Sequence, residues 1–325
     1  MGIDPMSKRD ADRAAARADV LRTVSFKFCL DGLLASRGDG WREKHLKQWE
    51  NSMATYAKPL MGVNVADIDV SLTLRCIEPQ WKRAPVTMDR VRSRIGEVLG
   101  WAQTRGHRPP GPLPTLWKGH LDQLLTHPSK LAPTVNHPAM KYGDVSGLYG
   151  KLIASDGIAE ACLAFTILTA TRSQEARGAR WDEIDAAGIW TVPPERMKRR
   201  KAHRVPLSGE ALKLIAKLPR TGPYLFSIKG GKPVVAMSLR KALHRQGGDG
   251  FTVHGFRSAL RDWGSEKTNT PREILEMSLA HAVGNAAEQA YARSDGIAKR
   301  GKLMEQWATF LTASPASDNV VAMRA

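Results

Sequence analysis

Two proline-rich, aperiodic stretches, residues 106–114 and 127–138, interrupt a 325-residue chain whose apolar positions otherwise recur at helical spacing. A chain broken in this way cannot build one continuous helical core. It must bury an apolar face on each side of the break, and its length suffices for two cores. The expected division is a tail at 1–23, a helical domain at 24–127, a linker at 128–140, a second domain at 141–313 and a flexible tail at 314–325. The opening MGIDP reads as a tag remnant.

Ahead of the break, Phe26, Phe28, Leu30, Leu33 and Leu34, then Trp41, Leu46, Trp49, Met53 and Tyr56, predict two helices around a turn at 38–40. Residues 59–70 break the pattern, 70–76 form a short helix, and a stronger helix spans 87–104 with Val91, Ile95, Val98 and Ala102 on one stripe. Lys82, Arg83, Arg90, Arg92 and Arg94 flank that stripe. They are candidates for DNA contact, weighed evenly against a solvated charged face.

After the break, helices are expected at 145–153 and 158–169. Ser173 can cap a further helix with Glu175 in its first turn, leaving Arg172 just ahead of an N-terminus that favours anions. Residues 189–192 and 203–207 read as strands joined by PPERMKRRKA, in which Lys198 and Lys201 can both reach outward. A helix at 208–218 capped by Ser208, a strand-like stretch at 224–227 and a helix at 238–245 follow.

Then come His254, Arg257 and Arg261 on one helical face, opposite Phe256, Ala259, Leu260 and Trp263, which leaves the polar face free to meet a ligand. Thr270, Pro271 and Glu273 have capping-box spacing for a helix running towards His281, and Asn285 with Glu288 opens a short segment ending near Tyr291. A last helix at 303–312 presents Leu303, Trp307, Phe310 and Leu311. That apolar face must pack on its own domain or on a neighbour.

Lys and Arg number 49 against 32 Asp and Glu, a formal charge of +17. The excess favours a polyanion, nucleic acid first and an acidic membrane surface second. Cys29, Cys76 and Cys162 form no CxxC pair, and the nine histidines no HExxH cluster, so neither disulfide, metal nor cofactor is expected. No apolar run approaches the ~20 residues of a membrane span, and a soluble cytoplasmic protein is expected.

Metal-free cleavage of a phosphodiester needs cations on the non-bridging oxygens, a nucleophile, and an acid for the leaving alkoxide. Arginine forks suit the first task, a tyrosine beside cations the second, and a lysine on a hairpin the third. With TATRSQEARGARWDEID, PERMKRRKAHRVPLS, HGFR, and LAH followed by AYAR in this order, the chain resembles the tyrosine recombinases of the phage integrase family. It looks most like integrases of prophages and integrative elements. WREKHLKQWENSM and TMDRVRSRIGEVLGWA resemble the same family's core-binding domain.

The resemblance implies a mainly α fold with a small β-sheet: a helical, SAM-like core-binding domain followed by an α+β catalytic domain. It makes Tyr291 the nucleophile that forms a 3′-phosphotyrosyl link, and Arg172 and Arg257 the phosphate clamp. Lys198 would be the acid for the leaving 5′ oxygen, with Lys201 as the alternative. His254 would act in proton transfer, His281 would hydrogen-bond the phosphate, and Glu175 would support the network. The implied partner is double-stranded DNA at attachment or core sites, bound by a protein that is monomeric in solution and tetrameric on two sites, with accessory bending or directionality factors, at the bacterial nucleoid. The readings set against an integrase are a catalytically silent DNA-binding regulator and a type IB topoisomerase; a metal-dependent nuclease lacks its acidic cluster. Two departures stand out: Ala280 occupies a place where the family commonly has glycine, and one residue more than usual separates His281 from Tyr291. The residues before Val24 are too few for the arm-binding domain such integrases usually carry.

Overall fold

The computed structural model describes residues 24–41, 43–132, 138–282, 284 and 295–313. The chain divides into two compact units, Met1–Val135 and Asn136–Ala325. Both are mainly helical, as the apolar periodicity predicts.

The first unit contains α1 (Phe26–Arg37), α2 (Glu43–Tyr56), α3 (Val70–Trp81), α4 (Pro85–Thr104) and α5 (Pro128–Leu131), with short 3-10 turns between them. Among the described residues every other helix of the unit packs on α4, whose Met88, Val91, Ile95, Val98, Leu99 and Ala102 are buried. It begins two residues earlier than its stripe suggests, because Pro85 occupies the first turn, where a missing N–H breaks no bond. α3 runs five residues past its expected end at Cys76, through Pro79. Trp81 holds that last turn in place: it is buried, donates Nε1–H to the Thr126 carbonyl at 2.8 Å and stacks on Trp117. Part of the expected linker is likewise structured, since Pro128 opens the one-turn α5 on the flank of α4.

The second unit contains α6 (Tyr142–Ile153), α7 (Ile158–Thr169), α8 (Ser173–Arg177), β1 (Ile189–Val192), β2 (His203–Pro206), α9 (Gly209–Ala216), β3 (Ser227–Ile228), β4 (Lys232–Pro233), α10 (Ala236–Arg245), α11 (Gly255–Lys267), α12 (Arg272–Ser278) and α13 (Ile297–Thr312). α7 is predominantly apolar and is enclosed by α6, α9, α10 and α13, its buried Glu160 paired with Arg245. β1 and β2 pair antiparallel, from Ile189 opposite Pro206 to Val192 opposite His203. The strand expected over 224–227 is displaced: Tyr224 makes a single bridge to Arg180, and the paired residues are Ser227 and Ile228.

α13 starts six residues before its apolar pattern becomes visible, the early turns being disguised by Lys299, Arg300, Gly301 and Lys302. Its Leu303, Met304, Trp307 and Leu311 are buried against α6, α7 and β2 of the same unit. Trp307 donates Nε1–H to the Ile167 carbonyl at 3.0 Å. Of the two coverings the apolar face allows, its own unit supplies the one seen here. Each such side chain contributes about 1.5–3 kcal/mol on leaving water. No helix among the described residues is long and apolar enough to cross a membrane.

Candidate active site

Arg257 lies at the centre of the second unit's polar cluster, and it is buried, only 4% exposed. The expected free polar face of α11 is therefore corrected here, because this arginine points into protein rather than solvent. Its Nη1 donates to the Ala170 carbonyl and its Nη2 to the Leu279 carbonyl. Those acceptors close the C-terminal ends of α7 and α12, where unpaired carbonyls and the helix dipole favour a cation. The chain reaches both positions through left-handed alanines, Ala170 at φ 47° and Ala280 at φ 51°. Ala280 thus adopts the backbone that glycine takes without cost, which accounts for the glycine usual there.

Burial pushes the Arg257 guanidinium down to about 10, and the positive charge of Arg172 pushes the same way, against Glu175 and Glu276. Both carboxylates are committed elsewhere. Glu175, buried, accepts the Arg172 backbone N–H at 2.9 Å and its Nη1–H at 2.8 Å. Arg172 rather than Ser173 is the cap residue of α8, and Glu175 reaches back to it as half of a capping box. Among the described residues no carboxylate lies within ion-pair distance of Arg257, and its buried Nε has no hydrogen-bond partner. Two guanidiniums near enough to repel, one lacking an acidic partner, make a site that an anion with paired oxygens would complete.

His281 closes another side of the cluster. Its Nε2 lies 3.1 Å from Arg257 Nη2, and because arginine can only donate, this nitrogen accepts. Nδ1–H then donates to Glu276 Oε2 at 2.5 Å, while Glu276 Oε1 takes a hydrogen bond from Arg261 at 2.7 Å. Burial raises the Glu276 carboxyl, but these two partners outweigh it and hold the group below its usual range. His254 stands just ahead of α11 with its side chain exposed, and its carbonyl accepts the Arg257 N–H at 3.2 Å. Gly255 between them is dictated by close approach: a Cβ there would lie 2.7 Å from Ala139 Cα and 2.8 Å from the Pro138 oxygen.

Lys198 and Lys201 are exposed on the β1–β2 turn, as the cation-rich connection predicts. Tyr291 and the segment expected to open at Asn285 lie outside the described residues. Thr270 does not cap α12; Pro271 stands at that position and the Thr270 hydroxyl is engaged by Thr268 at 2.8 Å. In the first unit Lys82, Arg83 and Arg90 are exposed, whereas Arg92 and Arg94 turn inward. Arg92 bonds Asp89 and the Thr115 carbonyl. Arg94 bonds the Gln48 carbonyl and the Ser52 hydroxyl and lies over the Trp49 ring.

Two buried residues of this region escape the motif reading. His203, on β2, is driven down to about 3 by burial and by the charges of Arg300, Arg257 and Arg172, and is therefore a neutral imidazole. Arg300, on α13, is 2% exposed. The one available signal was the arginine's place one helical turn ahead of Leu303 and Met304, on the face that α13 buries.

The phage integrase central domain matches residues 26–120 and the phage integrase family domain matches residues 148–296. Prophage integrase IntA of Escherichia coli is 31% identical over 274 residues, covering 81% of this chain and 64% of that relative. The chain therefore spans just under two thirds of IntA's length. Prophage integrase IntZ of Escherichia coli is 27% identical over 316 residues, 94% of this chain and 75% of the relative. Among solved structures, a lambda integrase dimer bound to a COC′ core site aligns with a TM-score of 0.63 at 16% identity, covering 87% of this chain and 81% of that one. The lambda integrase tetramer bound to a Holliday junction aligns with a TM-score of 0.62 at 15% identity, covering 88% and 83%. These structures share the fold, and the two matched domains together account for both units: the chain belongs to the phage integrase family of tyrosine recombinases.

Proposed function

We propose that this protein is a site-specific DNA recombinase that integrates or excises a mobile element through a 3′-phosphotyrosyl intermediate. The observation that carries the reading is the Arg172–Arg257 pair, held by Glu175 and by two helix ends, with Arg257 lacking a carboxylate of its own among the described residues. The two guanidiniums bind the non-bridging oxygens of the scissile phosphate and stabilise the charge that develops there. The Tyr291 oxygen attacks phosphorus while its proton passes to His254. The bond from phosphorus to the 5′ oxygen breaks, and that oxygen takes a proton from Lys198, or from Lys201 in its place. Attack by another 5′-hydroxyl reverses the step on a new strand, so the bond energy is conserved. His281 hydrogen-bonds the phosphate while Glu276 holds its Nδ1.

The partner is double-stranded DNA, and the assembly is a tetramer on two sites formed from protein that is monomeric when free, at the nucleoid, with accessory bending or directionality factors. The lambda integrase complexes with a core site and a Holliday junction support the DNA partner and the tetramer. Residues 24–127 serve as the core-binding domain, with Lys82, Arg83 and Arg90 towards the backbone phosphates, and 141–313 as the catalytic domain.

A nicked suicide substrate tests the proposal on a denaturing gel. Wild-type protein should form a covalent adduct equally with and without chelator. Tyr291→Phe should bind the same DNA and form no adduct. An adduct in that variant would place the nucleophile elsewhere, and none in the wild type would leave a DNA-binding regulator.

A further inference from the structure

Behind the lysine-bearing hairpin lies a buried cation that the chemistry above does not use. Arg300 donates Nη2–H to the Arg204 carbonyl at 2.6 Å and Nη1–H to the Asp295 carbonyl at 3.4 Å. Its Nη2 also lies 3.4 Å from His203 Nε2. Burial lowers the guanidinium to about 10, and its Nε has no partner among the described residues. Asp295, the acid beside it, pairs with Arg204 Nη1 at 3.0 Å instead. A buried charge without a carboxylate costs several kcal/mol, and an apolar side chain at such a place commonly holds a fold as well or better. Packing therefore does not explain why an arginine stands on the buried face of α13.

What Arg300 does hold is one end of β2. Its two neighbours on that strand, His203 and Arg204, follow Lys201 by two and three residues and Lys198 by five and six. His203 in turn feels the Ser278 backbone, three residues before His281. The strand that emerges from the hairpin is thus tied at adjacent residues to α13, with the His203 imidazole near the end of α12. Arg204 and Asp295 close the same ring on its exposed side.

We propose that Arg300 is a positioning residue for the hairpin lysine that protonates the leaving 5′ oxygen, acting through the main chain at Arg204 and through His203. The inference rests on the recombinase reading. It is tested by comparing two suicide substrates, one with the ordinary 5′ oxygen and one with sulfur in that bridging position. A thiolate departs without needing a proton, so a defect in acid catalysis disappears on the second substrate while a defect in phosphate binding or nucleophilic attack does not. Lys198→Ala and Lys201→Ala set the reference. Arg300→Met, checked for folding by its melting curve, should cleave the oxygen substrate about 10-fold or more slowly and return to within about 3-fold of wild type on sulfur. Arg300→Lys should fall between the two. Should Arg300→Met fail to fold, Asp295→Asn, at an exposed ion pair of the same ring, should show a smaller loss with the same recovery.

Equal losses on both substrates, or no loss on either, would overturn the proposal. It falls too if neither lysine variant recovers on sulfur. A wild-type protein that forms no adduct with either substrate would instead remove the recombinase reading itself.

Discussion

The arginines of the two units are built on opposite principles. In α4 of the first unit, Arg92 has Asp89 at 2.8 Å and the Trp117 ring, and Arg94 has a carbonyl, a hydroxyl and the Trp49 ring. Each is satisfied by its own surroundings and has little left to offer a ligand. In the second unit, Arg257 is more deeply buried, yet among the described residues its hydrogen-bond partners are two carbonyls and a histidine, and Arg172 repels it against the weaker pull of Glu175 and Glu276. The density of basic residues along the chain points to the first group. Incomplete compensation of a buried charge marks the second, and that is the better sign of a site.

The largest effect that could break this contrast is at its two extremes. Arg257→Lys should slow cleavage by about 100-fold or more, because an ammonium keeps the charge but cannot reach two helix ends and a phosphate together. Arg94→Met should instead cost about 1–2 kcal/mol of stability through lost hydrogen bonds and a cation–π contact, with cleavage per folded molecule unchanged. Suicide-substrate rates and urea melts on both variants decide it. A cleavage loss without a stability loss at Arg94 would erase the distinction.

A smaller effect sharpens it through pH. His203 falls from the ordinary 6.5 to about 3 because it shares its burial with Arg300, Arg257 and Arg172. The unfolded chain takes up a proton there that the folded chain refuses, so stability is complete above about 6.5 and is lost as the pH falls towards about 3. Within that window the slope from this one group approaches about 1.4 kcal/mol per pH unit. His203→Gln should flatten the measured slope, and an unchanged slope would mean that the cations do not act on that position.

The smallest effect concerns the backbone beneath Arg257. Ala280→Gly should stabilise the second unit by about 0.5–1 kcal/mol, relieving a left-handed alanine against the greater freedom of glycine in the unfolded chain. Denaturant midpoints measure it. Cleavage should not change, because the Leu279 carbonyl keeps its direction.

The elements that were legible in the residues are those set by local pattern. The stripe of α4, the β1–β2 pair around its cationic turn, and Ser208 capping α9 through the Ala211 N–H all follow from spacing and turn chemistry. The motif residues Arg172, Glu175, Arg257 and His281 are indeed brought together. What periodicity misplaced was the surroundings of Arg257, which helical spacing assigns to a polar face although its partners are 87 and 22 residues away. Arg300 was hidden for the same reason: a lone arginine in a lysine-rich run looks solvated until a strand 96 residues earlier covers it. The position of Tyr291 lies outside the described residues and stays a reading of the motif.

The grip of one guanidinium on two helix ends also sets a timetable for the chain's synthesis. The Ala170 and Leu279 carbonyls must both be present before Arg257 can be buried, so a nascent polypeptide that has released residue 257 but not residue 279 has no completed clamp. Until then, on the recombinase reading proposed above, the exposed Lys82, Arg83 and Arg90 of the first unit are already synthesised while the phosphate clamp is not. On that reading the clamp for a strand is completed late, with the last third of the second unit, after the residues proposed to bind one.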